Sequence, residues 1–305
     1  MKEFWNEPMT AELARRVMEE LTGEYRFVQQ ELLTVSPFGR PMEALVIGTG
    51  PRRVLYAAAF HANEWITANV LLRFGAEYAR AIAEDGEIFG RLARKLATET
   101  TVYLIPVANP DGVDLVTGVI QPGDDPYQRA MALARGYPNI PFPQGWKANL
   151  NGVDLNLNYP AGWQMAREIK FRQGYRSPGP RDYVGTAPLS QPESAAVYDY
   201  TVEVDPALVI ALHSQGQEIY WQYGQVEVPG ARELGEEFAR VSGYRLAQPA
   251  YNSSFAGFKD WFIQSFRRPG YTVEVGSGVN PLPLSQVEEI YAAVGPILVT
   301  GLTGA

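Results

Sequence analysis

Four side chains in this sequence have the types and spacing to do chemistry together: His61, Glu64, His213 and Glu274. His61 ends the apolar run Val54-Leu-Tyr-Ala-Ala-Ala-Phe60, and Glu64 follows three residues later. His213 comes directly after Ala207-Leu-Val-Ile-Ala-Leu212, and Glu274 directly after Tyr271-Thr-Val273. Neutral imidazole nitrogen and carboxylate oxygen are good zinc ligands, and three protein ligands with a fourth position left for water make a catalytic rather than a structural site. His61, Glu64 and His213 are such a set. A His-x-x-Glu pair alone is weak evidence and more often a surface pair at a helix start, and a histidine after a buried strand is more often a hydrogen-bonded core residue than a ligand. The economy of the chain favours the metal, because both of its histidines stand at strand ends and none is spent elsewhere.

The strands that deliver these residues can be read from the pattern. Thr10 is placed to cap a helix over 10–22 in which Leu13, Val17 and Leu21 recur every four residues, with Gly23 as its stop. Residues 25–60 read as three strands broken at Pro37-Phe-Gly-Arg-Pro41 and Gly48-Thr-Gly-Pro51, connections short enough for antiparallel hairpins. Thr67 is the expected cap of a helix running to about residue 83. A charged helix near 87–97 then leads to the strand Thr101–Val107, which ends in Asn109-Pro-Asp-Gly112. From 117 to 190 periodicity is poor, and proline, glycine and aromatics are frequent, as expected of the wall of a substrate cleft. Ser190-Gln-Pro-Glu193 has the form of a capping box opening a helix to about 204. Pro229 and Gly243 bracket another helix, 257–267 reads as helical, and Ser285-Gln-Val-Glu288 should cap a last helix through about 299. In an open α/β sheet the strand ends that carry the four residues form the ligand-binding edge.

Composition narrows what the site can serve. The chain has 305 residues, 46% hydrophobic and 20% charged, the balance of an ordinary soluble globular protein. A formal charge of −8 leaves no basic face for nucleic acid. Without cysteine there are no disulfides, thiolate nucleophiles or cysteine metal sites. The N-terminal stretch carries no apolar leader-like segment, and no run approaches the length of a membrane span, so the expected location is the cytoplasm. No repeat, low-complexity tract or clear linker interrupts the chain, so one domain over 1–305 is expected, with the 10–22 helix packed on it. Its oligomeric state is not legible in the sequence.

The residues also carry a resemblance. His61-Ala-Asn-Glu64, Gly152-Val-Asp-Leu-Asn-Leu-Asn158, His213-Ser214 and Glu274 resemble, in order, the motifs of the A-type zinc metallocarboxypeptidase superfamily, the funnelins. Asn109–Gly112, Gly185–Glu193 and Tyr251–Trp261 resemble further blocks of that family. The resemblance spans roughly residues 25 to 300 and implies an α/β/α domain with a mixed, mostly eight-stranded sheet. It also implies one zinc per chain on His61, Glu64 and His213, with Glu274 as the general base toward water. By the same resemblance Asp154 is the acid that orients His61, Lys147 the cation beside the oxyanion where the family has arginine, and Tyr251 the tyrosine that closes over substrate.

One departure bears on substrate. The family's carboxypeptidases hold the terminal carboxylate with the arginine of Asp-Leu-Asn-Arg-Asn, where this chain has Leu157, and leucine cannot pair a carboxylate. The Asp-Leu-Asn-Leu-Asn variant, His213-Ser-Gln-Gly-Gln-Glu218 and Gly179–Gly185 look like the branch of γ-D-glutamyl-meso-diaminopimelate peptidases, which cut bacterial wall peptides. Asn156, Leu157 and Arg181 are the expected substrate contacts, and a murein peptide the expected partner. With neither a leader nor a wall-binding module visible, an intracellular enzyme is expected. Three other functions fit less of the pattern: an ordinary carboxypeptidase with its cation among Arg167, Arg172, Arg176 and Arg181, a zinc amidohydrolase of aspartoacylase type, and a binding protein on a degenerate peptidase fold.

Overall fold

A computed structural model describes residues 4–304; Met1 to Glu3 and Ala305, the ends of the 1–305 domain expected from the sequence, lie outside the described residues. In chain order the elements are α1 (Ala11–Glu24), β1 (Val28–Val35), β2 (Pro41–Ile47), β3 (Arg52–Ala57), α2 (Ile66–Ala83), β4 (Glu87–Ile88), β5 (Arg91–Leu92), α3 (Ala93–Glu99), β6 (Thr100–Ile105), α4 (Pro110–Val116), α5 (Asp125–Ala134), α6 (Trp163–Arg172), α7 (Pro192–Val204), β7 (Leu208–His213), β8 (Glu218–Tyr220), α8 (Ala231–Ser242), β9 (Arg245–Ala247), α9 (Phe258–Phe266), β10 (Gly270–Glu274) and α10 (Val287–Thr303). Eight strands form one sheet in the order β1-β2-β6-β3-β7-β10-β8-β9. Its centre, β6-β3-β7-β10, is parallel, and the edges add antiparallel pairs at β1–β2, β2–β6 and β10–β8.

Successive residues of a strand face opposite sides of the sheet, so alternation sorts the core into two layers. Val54 and Tyr56 of β3, Leu208, Ile210 and Leu212 of β7, and Tyr271 and Val273 of β10 pack with the apolar faces of α1, α2 and α10. Leu55 and Ala57, with Val209 and Ala211, pack with α7 and α9 on the other side. The result is a three-layer α/β/α arrangement around a mixed eight-stranded sheet, as expected. The same alternation puts His213 in phase with Val209 and Ala211, and Glu274 in phase with Thr272, so both belong to the α7/α9 side. No helix among the described residues is long and apolar enough to cross a membrane.

Several local expectations change. Gly23 lies inside α1, whose C-cap is Tyr25; Thr10 does cap it, its hydroxyl accepting from Leu13 N at 3.0 Å. β2 and β3 are not hydrogen-bonded as a hairpin, because β6 lies between them. The connection passes so close to β6 that a Cβ on Gly50 would sit 2.0 Å from the Glu99 carbonyl carbon, and one on Gly48, where φ is +102°, 2.4 Å from Thr100 O. Thr67 lies within the first turn of α2; its hydroxyl donates to Glu64 O at 2.7 Å and accepts from Ala59 N at 3.0 Å, buttressing the turn between His61 and the helix. The expected 87–97 helix is instead the β4–β5 hairpin followed by α3. The N-cap of α7 is Gln191, and the N-cap of α10 is Gln286 after a 3-10 turn over Leu284–Gln286, so neither Ser190 nor Ser285 caps. Glu193 faces inward to Asn149, and Ser285 is taken up by the extra turn.

Candidate active site

β3 ends at Ala57 and the chain continues along the sheet edge, with Ala58 donating to Ile105 O at 2.9 Å, before turning at His61 into the 3-10 turn Ala62–Glu64. That tight turn is what lets residues 61 and 64 point at one spot. His213 and Glu274 are the last residues of neighbouring parallel strands and stand in register. The long segment between α4 and α7 is tied to this edge by Asn109, whose Nδ2 donates to Phe60 O at 3.2 Å and to Ala148 O at 3.0 Å. Ala62 N donates to Lys147 O, and Lys147 N to Pro180 O, so residues 147 and 181 are carried to the histidines by main-chain bonds.

The three candidate ligands converge. His61 Nδ1 is 2.9 Å from Glu64 Oε1, His213 Nδ1 is 3.0 Å from Glu64 Oε2, and the two Nδ1 atoms are 3.2 Å apart. One donor atom from each lies within 4.8 Å of the others, in a set only 1–2% exposed at Glu64 and His213. Two imidazoles and a carboxylate aimed at one point are a donor set that fits zinc. Asp154 accepts at 3.1 Å from His61 Nε2, and its other oxygen is held by Asp182 N at 3.1 Å. A carboxylate in that position keeps the proton on Nε2 and leaves Nδ1 free as a donor to metal. Asn156 Nδ2 lies 3.3 Å from His213 Nε2, while its Oδ1 accepts from Phe258 N.

Burial acts on every group of the site, and neighbouring charges reverse it at some and not at others. Burial opposes ionisation of Glu64, yet His61, Lys147 and His213 hold its pKa well below the usual carboxylate range. Burial also pulls His61 down, but Glu64 and Asp154 outweigh it and push the imidazole up to about 9. His213 is lowered by burial despite its bond to Glu64. Glu274 is pushed up to about 8, by burial first and by Glu64 second. Lys147, whose Nζ lies 2.6 Å from Glu64 Oε1, is raised because Glu64 outweighs its desolvation. Glu64 and Asp154 together favour positive charge at this spot, partly met by the Lys147 ammonium, and a divalent cation would meet the rest.

A cleft of about 700 Å³ opens onto this cluster, lined by His61, Lys147, Asp154, Asn156, Leu157, Arg181, His213 and Glu274 among others. Arg181 Nε is 2.7 Å from Asp182, which also holds Lys170 Nζ at 2.5 Å. Leu157 is buried against Ala166, Val184 and Ala256. Tyr251 stands apart: it is 66% exposed, packs edge-on against Phe255 at 5.2 Å, and its neighbours Pro249, Ala250 and Ser253 line the cleft instead. Sequence reasoning did not single out Lys170, Asp182, Lys259 or Asp260, all on the cleft wall. Lys259-Asp260 lies in a block already noticed for its resemblance, and its proximity to Trp261 and Phe262 was the available sign that the pair is buried.

The sheet order and the two-histidine, one-carboxylate cluster at its edge define a zinc peptidase of carboxypeptidase type. The chain belongs to the zinc carboxypeptidase family, peptidase family M14, whose model matches residues 14–292, and it is a zinc metallopeptidase. It is 42% identical over 285 residues, 93% of this chain and 70% of the relative, to γ-D-glutamyl-L-diamino acid endopeptidase 1 of Lysinibacillus sphaericus. Bovine thrombin-activatable fibrinolysis inhibitor has the same fold, with a TM-score of 0.74 at 17% identity over 98% of both chains. The murein-tripeptide amidase of Escherichia coli O157 has a TM-score of 0.56 at 20% identity over 89% of this chain and 91% of its own.

Proposed function

We propose that the chain works as a single peptidase domain that hydrolyses the γ-D-glutamyl–diaminopimelate bond of bacterial wall peptides, with zinc on His61, Glu64 and His213. The observation that carries the substrate class is Leu157. Where the family's carboxypeptidases place an arginine, this cleft has a leucine sealed into an apolar cluster, so no carboxylate fork stands there to demand a chain terminus. The 42% identical relative, named for cutting next to a diamino acid, supports the same reading.

When bound, zinc lowers the pKa of a water to about 7 and polarises the scissile carbonyl. The burial and the Glu64 charge that raise Glu274 would be offset by a divalent cation held by its neighbours, which favours its carboxylate form, and that carboxylate would then accept the proton of the attacking water and return it to the departing amine. Lys147 supplies the ammonium beside the developing oxyanion, as a point charge rather than a bidentate fork. Asp154 fixes the tautomer of His61, Asn156 orients substrate beside His213, and Arg181 meets carboxylates of the peptide on the Lys147 flank. Tyr251 closes over bound peptide from its exposed turn. Offering the protein a defined muropeptide and a hippuryl C-terminal substrate, with products identified by mass, tests the reading. Release of the diaminopimelate-containing fragment is expected, and faster cleavage of the hippuryl peptide would replace this function with that of an ordinary carboxypeptidase.

A further inference from the structure

Behind the cleft lies a cluster of polar side chains that the chemistry proposed above does not use. Asn149, Gln191 and Glu193 are all buried, and none of them lines the cleft. Asn149 Nδ2 donates to Gln191 Oε1 at 2.9 Å and to the two Glu193 carboxyl oxygens at 3.1 and 3.3 Å. Its Oδ1 accepts from Asn151 N at 3.2 Å and from Val153 N at 3.1 Å, and its own N–H donates to Val153 O at 2.9 Å. The side chain of Asn149 thus closes residues 149–153 into a tight loop. Gln191 and Glu193, the N-cap and first turn of α7, hold that side chain from behind.

Both ends of the loop reach the active site. Lys147 stands two residues before Asn149, and its Nζ is 2.6 Å from Glu64 Oε1. Asp154 follows Val153 directly and accepts from His61 Nε2 at 3.1 Å. The ends are anchored by the main chain, Lys147 O to Ala62 N and Asp154 N to Tyr183 O, and the span between them is set from within by Asn149. One loop therefore carries both the ammonium that faces the oxyanion and the carboxylate that orients a metal ligand.

Glu193 is what completes the Asn149 bonds. An amide nitrogen has two hydrogens to place, and a carbonyl oxygen has two lone pairs to offer. Gln191 Oε1 already accepts from Asn151 Nδ2 at 3.0 Å as well as from Asn149, so it has no capacity left for the second Asn149 hydrogen. Without the Glu193 carboxyl that hydrogen is buried and unpaired, a costly state that the amide escapes by turning. Turning it breaks the bonds to Asn151 and Val153 that shape the loop. What the position requires is an acceptor rather than a charge, and burial, which pushes Glu193 up to about 7, favours the uncharged carboxyl.

We propose that Glu193 is a positioning residue for catalysis, acting through Asn149 on Lys147 and Asp154. This rests on the proposed peptidase function, which gives those two residues their roles. Glu193 touches neither substrate nor metal. Lys147 acts on charge that develops in the transition state, so its displacement lowers kcat and leaves KM in place. Loosening Asp154 on His61 weakens the hold on zinc.

The test measures muropeptide cleavage and zinc affinity, the latter by competition with a chelator, in wild type, Glu193→Ala, Glu193→Asp and Glu193→Gln. Wild type and Glu193→Ala are also compared in a Lys147→Met background. In Glu193→Ala kcat should fall about tenfold at nearly constant KM, and zinc should bind about tenfold more weakly, the scale of a displaced catalytic group and of a lost partner to a metal-binding histidine. Glu193→Gln, which keeps an acceptor, should restore both. In the Lys147→Met background Glu193→Ala should lower kcat little further, because the group it positions is already gone. Additive losses in that background, or wild-type zinc affinity in Glu193→Ala, would overturn the proposal. If Glu193→Ala does not fold, Glu193→Asp decides: its shorter side chain withdraws the acceptor, and unchanged kcat and zinc affinity would leave Glu193 a structural role only. Should wild type fail to cleave the muropeptide, the function fails, and the chelator competition, which needs no turnover, still decides whether Glu193 acts on the site.

Discussion

Glu64 and Glu193 are both sealed from solvent and differ in everything around them. Glu64 lies between two imidazoles and the Lys147 ammonium and is held ionised. Glu193, behind the cleft at the start of α7, has the Asn149 amide for a partner at 3.1 and 3.3 Å, and burial pushes it up to about 7. Burial raises the pKa of both acids; only nearby positive charge reverses it. The first environment is a place for a metal ion. The second is a brace that holds the cleft-forming segment through Asn149, whose Oδ1 accepts from Val153 N.

The sharpest way to break this contrast is at the ligands. His61→Ala and His213→Ala should each reduce zinc from one per chain to near zero after dialysis, because two donors are too few for a catalytic site. Elemental analysis showing full zinc in both variants would falsify the ligand assignment. Glu274→Gln should keep both fold and zinc and lose turnover by about a hundredfold or more, since an amide cannot accept the water proton. Comparable turnover at matched zinc content would give the base role to another residue.

Glu193 tests the other side of the comparison through pH. Its folded pKa of about 7 lies above the ordinary value of 4.5, so between those values the unfolded chain ionises while the folded chain holds the proton. Its effect on stability is absent below about pH 4.5, grows as pH rises, and is complete above about 7, a loss of up to about 3 kcal/mol. Chemical denaturation of Glu193→Gln across that range should show this slope removed, with zinc content unchanged. A parallel pH dependence in both proteins would mean that Glu193 titrates as an ordinary acid. The smallest effect is expected at the rim. Arg181→Gln should raise KM for the muropeptide a few-fold, and added salt should narrow the difference, as for a partly exposed ion pair. An effect on kcat that ignores salt would move Arg181 out of substrate binding.

The histidines and Glu274 were legible because each follows an apolar run, and a run that stops at a polar residue marks the edge of a sheet; Glu64 was legible from its spacing, three residues after His61. Asp154 and Lys147 needed the resemblance, since nothing in a loop of poor periodicity says which acid or lysine turns inward. Lys259-Asp260 was missed for a related reason: adjacent opposite charges at a helix start ordinarily face water. The β2–β3 connection was misjudged because loop length sets how far apart two strands can be, and not whether a third strand lies between them. The serines at 190 and 285 had the spacing of capping boxes but lost the position to packing, with Glu193 turned inward and an extra 3-10 turn ahead of α10.

The insertion of β6 between β2 and β3 also bears on how the chain is made. β3, which leads into His61, pairs with β6 on one side and with β7, more than 150 residues downstream, on the other. Non-local pairing of this kind is slow to form and leaves strand edges exposed in the meantime. During synthesis β3 therefore waits with an open edge until His213 has emerged, and the register that aligns Glu274 waits for β10. A nascent chain stalled before about residue 213 holds two of the three ligands on an unfinished sheet, and one stalled between there and about residue 274 has all three but no Glu274 aligned beside them.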